Sequence, residues 1–326
     1  MRIVVTGGAG FIGSSVCGAL VRRGDEVVCI DNFNDYYVTS SPDGRRFASR
    51  KMNNIASLRD DPSFHLQTRD ITDRLAMEAT WPRAVDAVVH LAARAGVRAS
   101  FDDVSIYEQT NVSGTSDVLE IAFAHSVRRF IIASSSSVYG TNEKVPFSED
   151  DPTERTISPY AITKKRMEQD CRAFHDAHPE TRMTLLRFFT VYGPRGRTDM
   201  APYRIVDRCS RGAPFERNGD GTILRDFTHV SDIVDGLMRA IDTPFPFETI
   251  NLGNNQPIAL NQFIAIAELI VGAKLRIEQK NAQQGDVPIT YADISKAQRL
   301  LGWQPATTIE QGIANLVEWY NRNPEP

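Results

Sequence analysis

The first thirteen residues constrain this chain more than any other stretch. Ile3-Val4-Val5-Thr6 is a short β-branched run, and Gly7-Gly8-Ala9-Gly10-Phe11-Ile12-Gly13 follows it directly. Glycines at that spacing let the backbone turn tightly and approach a pyrophosphate, whose charge then faces the amide-rich N-terminus of the next helix. A glycine-rich turn alone is weak evidence. Here it has its context, because a helical pattern runs from Ser14 to Arg23 and Gly24 is placed to cap its end. A second β-branched run, Glu26 to Asp31, ends on a carboxylate 18 residues beyond Gly13. A carboxylate there accepts hydrogen bonds from ribose hydroxyls and repels a 2′-phosphate. With Asn32-Phe33 following and no adjacent arginine, the pattern favours NAD over NADP.

The same alternation continues. Strand-like runs are expected at Phe64 to Arg69, Ala87 to Leu91, Arg129 to Ser134 and Met183 to Phe189, with helices at Val104 to His125 and Pro159 to His178. Nearly continuous apolar runs separated by helices predict a Rossmann-type, doubly wound parallel α/β sheet covered on both faces. The polar insertion Asn34 to Asp61 carries one further helical pattern, Arg45 to Leu58, expected to be exposed. After about Tyr192 turns predominate, and helical patterns return at Val230 to Ile241, Leu260 to Val271, Ile294 to Leu301 and Ile309 to Asn321. The expected organisation is an NAD-binding domain over residues 1–192 and a smaller α/β substrate lobe over 193–326, with some segments of the latter returning to the first domain. Asp70-Ile71 is placed to meet the adenine, although a simple Asp turn explains it almost as well. Leu91-Ala92-Ala93 is small and apolar where a dinucleotide would cross the sheet edge, and core packing explains it equally well.

Bulk properties exclude several classes. The chain has 326 residues with 41% hydrophobic and 24% charged residues, and its net charge is -4. Basic residues are scattered in pairs such as Arg22-Arg23 and Arg128-Arg129, so no stripe tracks a nucleic-acid backbone. No apolar run approaches the ~18 residues of a membrane span. The first strand begins at once, leaving no room for a signal peptide, and Cys17, Cys29, Cys171 and Cys209 lie far apart with no metal-binding spacing. A reducing cytoplasm is expected.

The chemistry is carried by Tyr160-Ala161-Ile162-Thr163-Lys164, about twenty residues after Ser134-Ser135-Ser136-Ser137-Val138-Tyr139-Gly140. The tyrosine and lysine stand one helical turn apart on one face. A phenol with a pKa of ~10 is a poor base at neutral pH unless a cation stabilises the phenolate. Lys164 supplies that cation, and it can also reach the nicotinamide ribose. A serine at the end of the fifth strand can hydrogen-bond the reacting oxygen. Together with the glycine turn, this constellation means hydride transfer at a carbinol carbon.

These residues resemble the extended short-chain dehydrogenase/reductases that act on nucleotide-linked sugars, and the resemblance covers essentially the whole chain. His90-Leu91-Ala92-Ala93, Asn111, Arg225-Asp226-Phe227, His229-Val230 and Asp232 match as well. The resemblance implies Ser135 as catalytic hydroxyl, Tyr160 as base and Lys164 as its partner. It implies Asn111 among the cofactor residues, Arg225 at the nucleotide diphosphate and Phe215 near the uracil.

Family members open by removing hydride from sugar C4. Sugar 4,6-dehydratases carry an Asp-Glu pair directly after the catalytic hydroxyl, and decarboxylases carry a Glu at the second position. This chain has Ser136-Ser137. Epimerisation remains. The segment Arg187 to Ala201, the run Asp31-Asn32-Phe33-Asn34-Asp35-Tyr36-Tyr37 and Gly285-Asp286-Val287-Pro288 are similar to the subgroup that epimerises UDP-glucuronate, with Thr198 in place of its usual proline and Arg94 in place of glutamine. Arg197, Thr190 and Ser136 are the expected carboxylate partners, with Ser137, Met200, Ala201 and Asp286 also expected at the substrate. Alternatives are a 4-epimerase of UDP-glucose or UDP-N-acetylglucosamine, a UDP-glucuronate decarboxylase and a non-catalytic NAD sensor. The resemblance also implies a homodimer through the helices Val104 to His125 and Pro159 to His178.

Overall fold

The structure, a computed structural model, describes residues 1–34, 50–281 and 287–323. Strands β1 (Arg2–Thr6), β2 (Glu26–Asp31), β3 (Phe64–Thr68), β4 (Ala87–His90), β5 (Arg129–Ser135) and β6 (Arg182–Phe188) are joined by the returning strand Phe247–Leu252 in one seven-stranded sheet. The spatial order is Phe247–Leu252, β6, β5, β4, β1, β2, β3, and every pairing is parallel. This is the Rossmann-type doubly wound sheet, whose order reverses between β1 and β4 and opens a crevice there.

The β runs read as continuously apolar because both faces are buried. Ile3, Val5, Val89 and Ile131 face one core together with Val16, Leu237 and Trp303. Val4, Val88 and Ile132 face the other, with Met167 and Cys171. The covering helices are α1 (Phe11–Arg23), α2 (Arg50–Ile55), α3 (Arg74–Thr80), α4 (Val104–Glu108), α5 (Gly114–Ala124) and α6 (Pro159–Ala177). Gly24 takes φ 90° and donates its N–H to Leu20 and Val21, which ends α1 where the sequence places the cap. Ser158 caps α6 by accepting from the Ala161 N–H, with Pro159 in the first turn.

The remaining helices are α7 (Ala201–Arg211), α8 (Val230–Asp242), α9 (Leu260–Val271), α10 (Ser295–Leu301) and α11 (Ile309–Arg322). Helices α7, α9 and α11 enclose a separate core of Tyr203, Phe215, Phe263, Ile313 and Leu316. In contrast, α8 and the strand Phe247–Leu252 return to the large sheet and its first core. No described helix is long and apolar enough to cross a membrane.

Besides short strands in the second lobe, such as Pro214–Asn218 and Arg276–Lys280, that the sequence reading does not contain, the structure departs from expectation at elements of the first domain. The expected helix Val104 to His125 is divided by a π-helical turn at Gln109–Ser113, centred on Asn111. The insertion helix is exposed only in part: of its expected span, residues 45–49 lie outside the described residues, and in α2 Asn54 and Ile55 are buried, Asn54 by bonding the Ala9 carbonyl of the glycine turn. The strand Phe247–Leu252 has no counterpart among the expected strands. Its run FETINL follows a helix without a crossover signal of its own, and only its partner β6 makes it a strand.

Candidate active site

The C-terminal ends of the central strands converge on a cavity of about 1240 Å³ that reaches from the β1–β4 crevice to the second lobe. Gly7 there has φ +67°, and a Cβ on it would come within 2.7 Å of the Ala92 nitrogen. A Cβ on Gly13 would come within 2.1 Å of the Gly7 carbonyl oxygen. Both positions therefore require glycine. Gly10, at the N-cap of α1, has no side chain to satisfy the first helical amides, which are left for an anion beside Phe11 and Ile12. The cradle fits the pyrophosphate of a dinucleotide.

Asp31, almost fully buried at the end of β2, accepts from the Ala9 N–H (3.1 Å), the Phe33 N–H (2.9 Å) and the Lys51 ammonium (2.8 Å). Asn32 donates to Asp70 at 2.7 Å. Burial alone would raise the Asp70 carboxyl, but hydrogen bonds from Asn32 and Thr72 and the Arg94 charge hold it below the usual carboxylate range. Asp70, Ile71, Leu91, Ala92 and Ala93 all line the cavity. Asn111 does not. It is fully buried, accepts from the Arg94 N–H (2.8 Å) and donates to the Arg94 carbonyl (2.9 Å) and the Thr163 hydroxyl (3.1 Å). Its polar atoms are turned to the protein, where they brace the loop after β4 against α6. His90, the other buried polar group of this motif, bridges Thr6 (2.7 Å) and Thr115 (3.0 Å). Burial, with the Lys164 charge nearby, lowers its pKa to about 3, so it stays neutral.

The three residues expected to be catalytic come together at this edge. Ser135 ends β5, while Tyr160 and Lys164 sit one turn apart on α6, and all three line the cavity. Lys164 is 3% exposed and donates to the Ala133 carbonyl at 2.8 Å. Desolvation lowers its pKa to about 8, against the opposing charge of Glu168. Ser135 Oγ accepts from the Ser137 N–H (3.2 Å) and hydroxyl (3.0 Å). Ser136 lines the cavity, while Ser137 stands behind it and supports Ser135 through these two bonds. One turn beyond Lys164, Glu168 accepts two hydrogen bonds from Arg187 of β6 (2.9 and 2.7 Å) and one from the Ser134 hydroxyl (2.5 Å).

Thr190, Arg197, Met200, Ala201, Phe215 and Arg225 line the far half of the cavity. Arg225 donates to the Val287 carbonyl at 2.8 Å. Phe215 is 2% exposed and belongs chiefly to the second core, with one edge on the cavity. Arg197 grips Asp199 through both Nε (3.0 Å) and Nη2 (2.5 Å). Asp286, expected at the substrate, and Asp35 to Tyr37 lie outside the described residues.

Several residues on this cavity escaped the sequence reading. Lys51 and Asn54 arrive from the insertion, where one polar helix gives no sign of which carboxylate it will meet. Arg195 lines the cavity with a left-handed backbone (φ 66°) and makes no hydrogen bond or ion pair among the described residues. Burial and the neighbouring Arg22 lower its pKa, so an anion is the natural complement. The turn Gly193-Pro194-Arg195 was the available signal.

Comparison with known proteins places this geometry. The profile of the NAD dependent epimerase/dehydratase family matches residues 3–253. A UDP-glucuronate 4-epimerase of Thermodesulfobacterium geofontis is 38% identical over 324 residues, covering 99% of this chain and 97% of its own. UDP-glucuronate 4-epimerase 4 of Arabidopsis thaliana is 40% identical over 340 residues, covering 98% of this chain and 75% of its own. The crystal structure of UDP-glucuronic acid 4-epimerase from Bacillus cereus, in complex with UDP-glucuronic acid and NAD, superposes with a TM-score of 0.88 at 33% identity, covering 99% of both chains.

The Lys164 ammonium is a standing cost to the fold. With a folded pKa of about 8 against an ordinary value of 10.5, it is charged in both states below pH 8, and burial opposes folding there in full. Lys164→Met is expected to stabilise the ligand-free protein by about 1–3 kcal/mol at pH 7, allowing for the lost bond to Ala133. Urea unfolding should show this gain shrinking between pH 8 and 10.5. A less stable variant at pH 7 refutes it.

Proposed function

The chain belongs to the NAD dependent epimerase/dehydratase family, and from that premise we propose that it is an isomerase, an NAD-dependent UDP-glucuronate 4-epimerase that works through a transient 4-keto sugar. One observation carries the reading. A single cavity gathers Ser135, Tyr160 and Lys164 with Thr190 and Arg197, while positions 136 and 137 hold hydroxyls and no carboxylate. The relatives at 38% and 40% identity and the complex of the Bacillus cereus enzyme support it.

NAD, when bound in the glycine cradle, would supply a reversible acceptor for the C4 hydride. Gly7, Gly10, Phe11, Ile12 and Gly13 would hold its pyrophosphate, Asp31 with Asn32 its adenosine ribose, and Asp70, Ile71, Leu91, Ala92 and Ala93 the surface it crosses. Lys164, fixed on the Ala133 carbonyl, stabilises the phenolate of Tyr160. Tyr160 takes the O4 proton as the ketone forms and gives it back as the alcohol is restored. Ser135, oriented by Ser137, donates to the same oxygen. Arg225 and Phe215 hold the nucleotide and Arg195 a phosphate, so that the sugar alone turns over between hydride removal and return.

The 4-keto sugar is a β-keto acid, which loses carbon dioxide when its carboxylate bond aligns with the ketone π system. Arg197, Thr190 and Ser136 would hold the carboxylate out of that alignment. Neither Ser136 nor Ser137 can supply the acid and base of an elimination. The ketone therefore has one exit, hydride return to the opposite face.

Purified protein incubated with UDP-glucuronate, with no added NAD, should yield UDP-galacturonate by NMR; UDP-pentose and carbon dioxide instead would make it a decarboxylase. Arg197→Ala is expected to raise KM for UDP-glucuronate at least about tenfold, the order of a charge-assisted bidentate contact, and to leave competition by UDP-glucose nearly unchanged. Equal effects on both sugars sink the acidic assignment. We further propose a cytoplasmic homodimer through α4, α5 and α6, where Val104 (47%) and Ile162 (49%) are large exposed apolar side chains. Fractionation followed by sedimentation velocity should recover two chains per particle from the cytoplasm, and a monomer contradicts the assembly.

A further inference from the structure

Arg197, the cation assigned above to the sugar carboxylate, already has a carboxylate. Asp199, two residues along the same loop, takes its Nε and Nη2 edge in a bidentate pair, and both residues line the cavity. The arginine side chain is 20% exposed and the aspartate 42%, so the cation lies deeper and its partner sits toward solvent. The guanidinium rests against Gly96, where a Cβ would stand 3.3 Å from Nη2. Gly96 has φ +118°, which also favours glycine. The site is thus shaped around a guanidinium that holds a resident anion of the same chemistry as the substrate's C6 group.

Two carboxylates cannot both take the same edge of one guanidinium, and each repels the other. An epimerase of this kind meets a particular difficulty, because its sugar must be fixed for hydride removal, released to turn, and fixed again. A cation with no alternative partner would hold the carboxylate through the turn. We propose that Asp199 is the exchange partner of Arg197: it takes back the guanidinium when the sugar carboxylate leaves, which weakens binding of the acidic sugar and speeds its reorientation. A neutral sugar leaves the pair intact. The proposal rests on the UDP-glucuronate reading, and it makes Asp199 a positioning residue acting through Arg197.

The test compares the full-length protein with its Asp199→Asn variant on UDP-glucuronate, with UDP-glucose as competitor. An exposed ion pair sets the scale, so KM for UDP-glucuronate is expected to fall by up to about five-fold, with kcat falling in step because the turning sugar is released more slowly. The inhibition constant of UDP-glucose should not move. Asp199→Ala should repeat the pattern, and Asp199→Glu should restore the parent values. An Asp199→Asn variant whose KM rises or stands still overturns the exchange role, as does one whose kcat holds while KM falls. If the parent protein does not convert UDP-glucuronate, the functional reading fails and takes this proposal with it; if it does, only the ratio of variant to parent decides.

Discussion

The geometry at the sheet edge depends on the buried ion pair between Arg187 and Glu168. Arg187 belongs to β6 and Glu168 to α6, and the same carboxylate accepts from Ser134 of β5. One carboxylate thereby registers the helix that carries Tyr160 and Lys164 against the strand that ends in Ser135. Such a pair adds little net stability, since removing both charges from water consumes most of the attraction. Its worth is directional. Apolar contacts such as Met167 and Cys171 against the strands would tolerate a small slide of α6, whereas a fork of parallel hydrogen bonds does not. Arg187 also donates to the Tyr139 hydroxyl, which in turn donates to Asn251 on the returning strand. That chain of bonds extends the same registration across three neighbouring strands, and its demand for satisfied partners explains why so polar a group can lie beneath the site.

A similar economy governs the cofactor half. The insertion after β2 is long and polar, yet α2 returns Asn54 to the Ala9 carbonyl and Lys51 to Asp31. The glycine turn, having no side chains of its own to fix it, is thus held from outside. Lys51 also pairs with the buried carboxylate at the end of β2, so that Asp31 does not lie unpartnered in its nearly closed position.

The fold was legible in the sequence where one period dominated. Strands β1 to β6 could be read because each is a short apolar run bounded by turns, and α1 and α6 because their caps, Gly24 and Ser158, are local signals. The strand Phe247–Leu252 was illegible because its identity lies in a partner distant in sequence. The site divides in the same way. Residues named by a local motif, such as Gly7, Ser135, Tyr160 and Lys164, could be placed on one cavity in advance. For Asn111 and Ser137 the motif gives a position on an element and not the direction in which hydrogen bonds are spent, and the structure shows both bonded to neighbouring protein groups. Lys51 and Asp199 were missed because their significance is pairwise, each an ordinary surface charge until its neighbour is known, and Arg195 because only the folded chain shows its burial at the cavity.

Pairing of charges also governs how a common scaffold is narrowed to one reaction. In the proposed mechanism the hydride chemistry at C4 needs only Tyr160, Lys164 and Ser135, and any nucleotide sugar with a free C4 hydroxyl could enter it. The fate of the resulting ketone is decided by the charges around it. Carboxylates at positions 136 and 137 would open an elimination path, and the serines there close it while still offering hydroxyl donors to an anion. A lone guanidinium at position 197 would then hold acidic sugars too firmly, while its pairing with Asp199 offsets that one charge until a carboxylate competes. Specificity of this kind lies in the balance of two opposed charges, which is why a single residue type in the sequence indicates an acidic substrate without saying how tightly it is held.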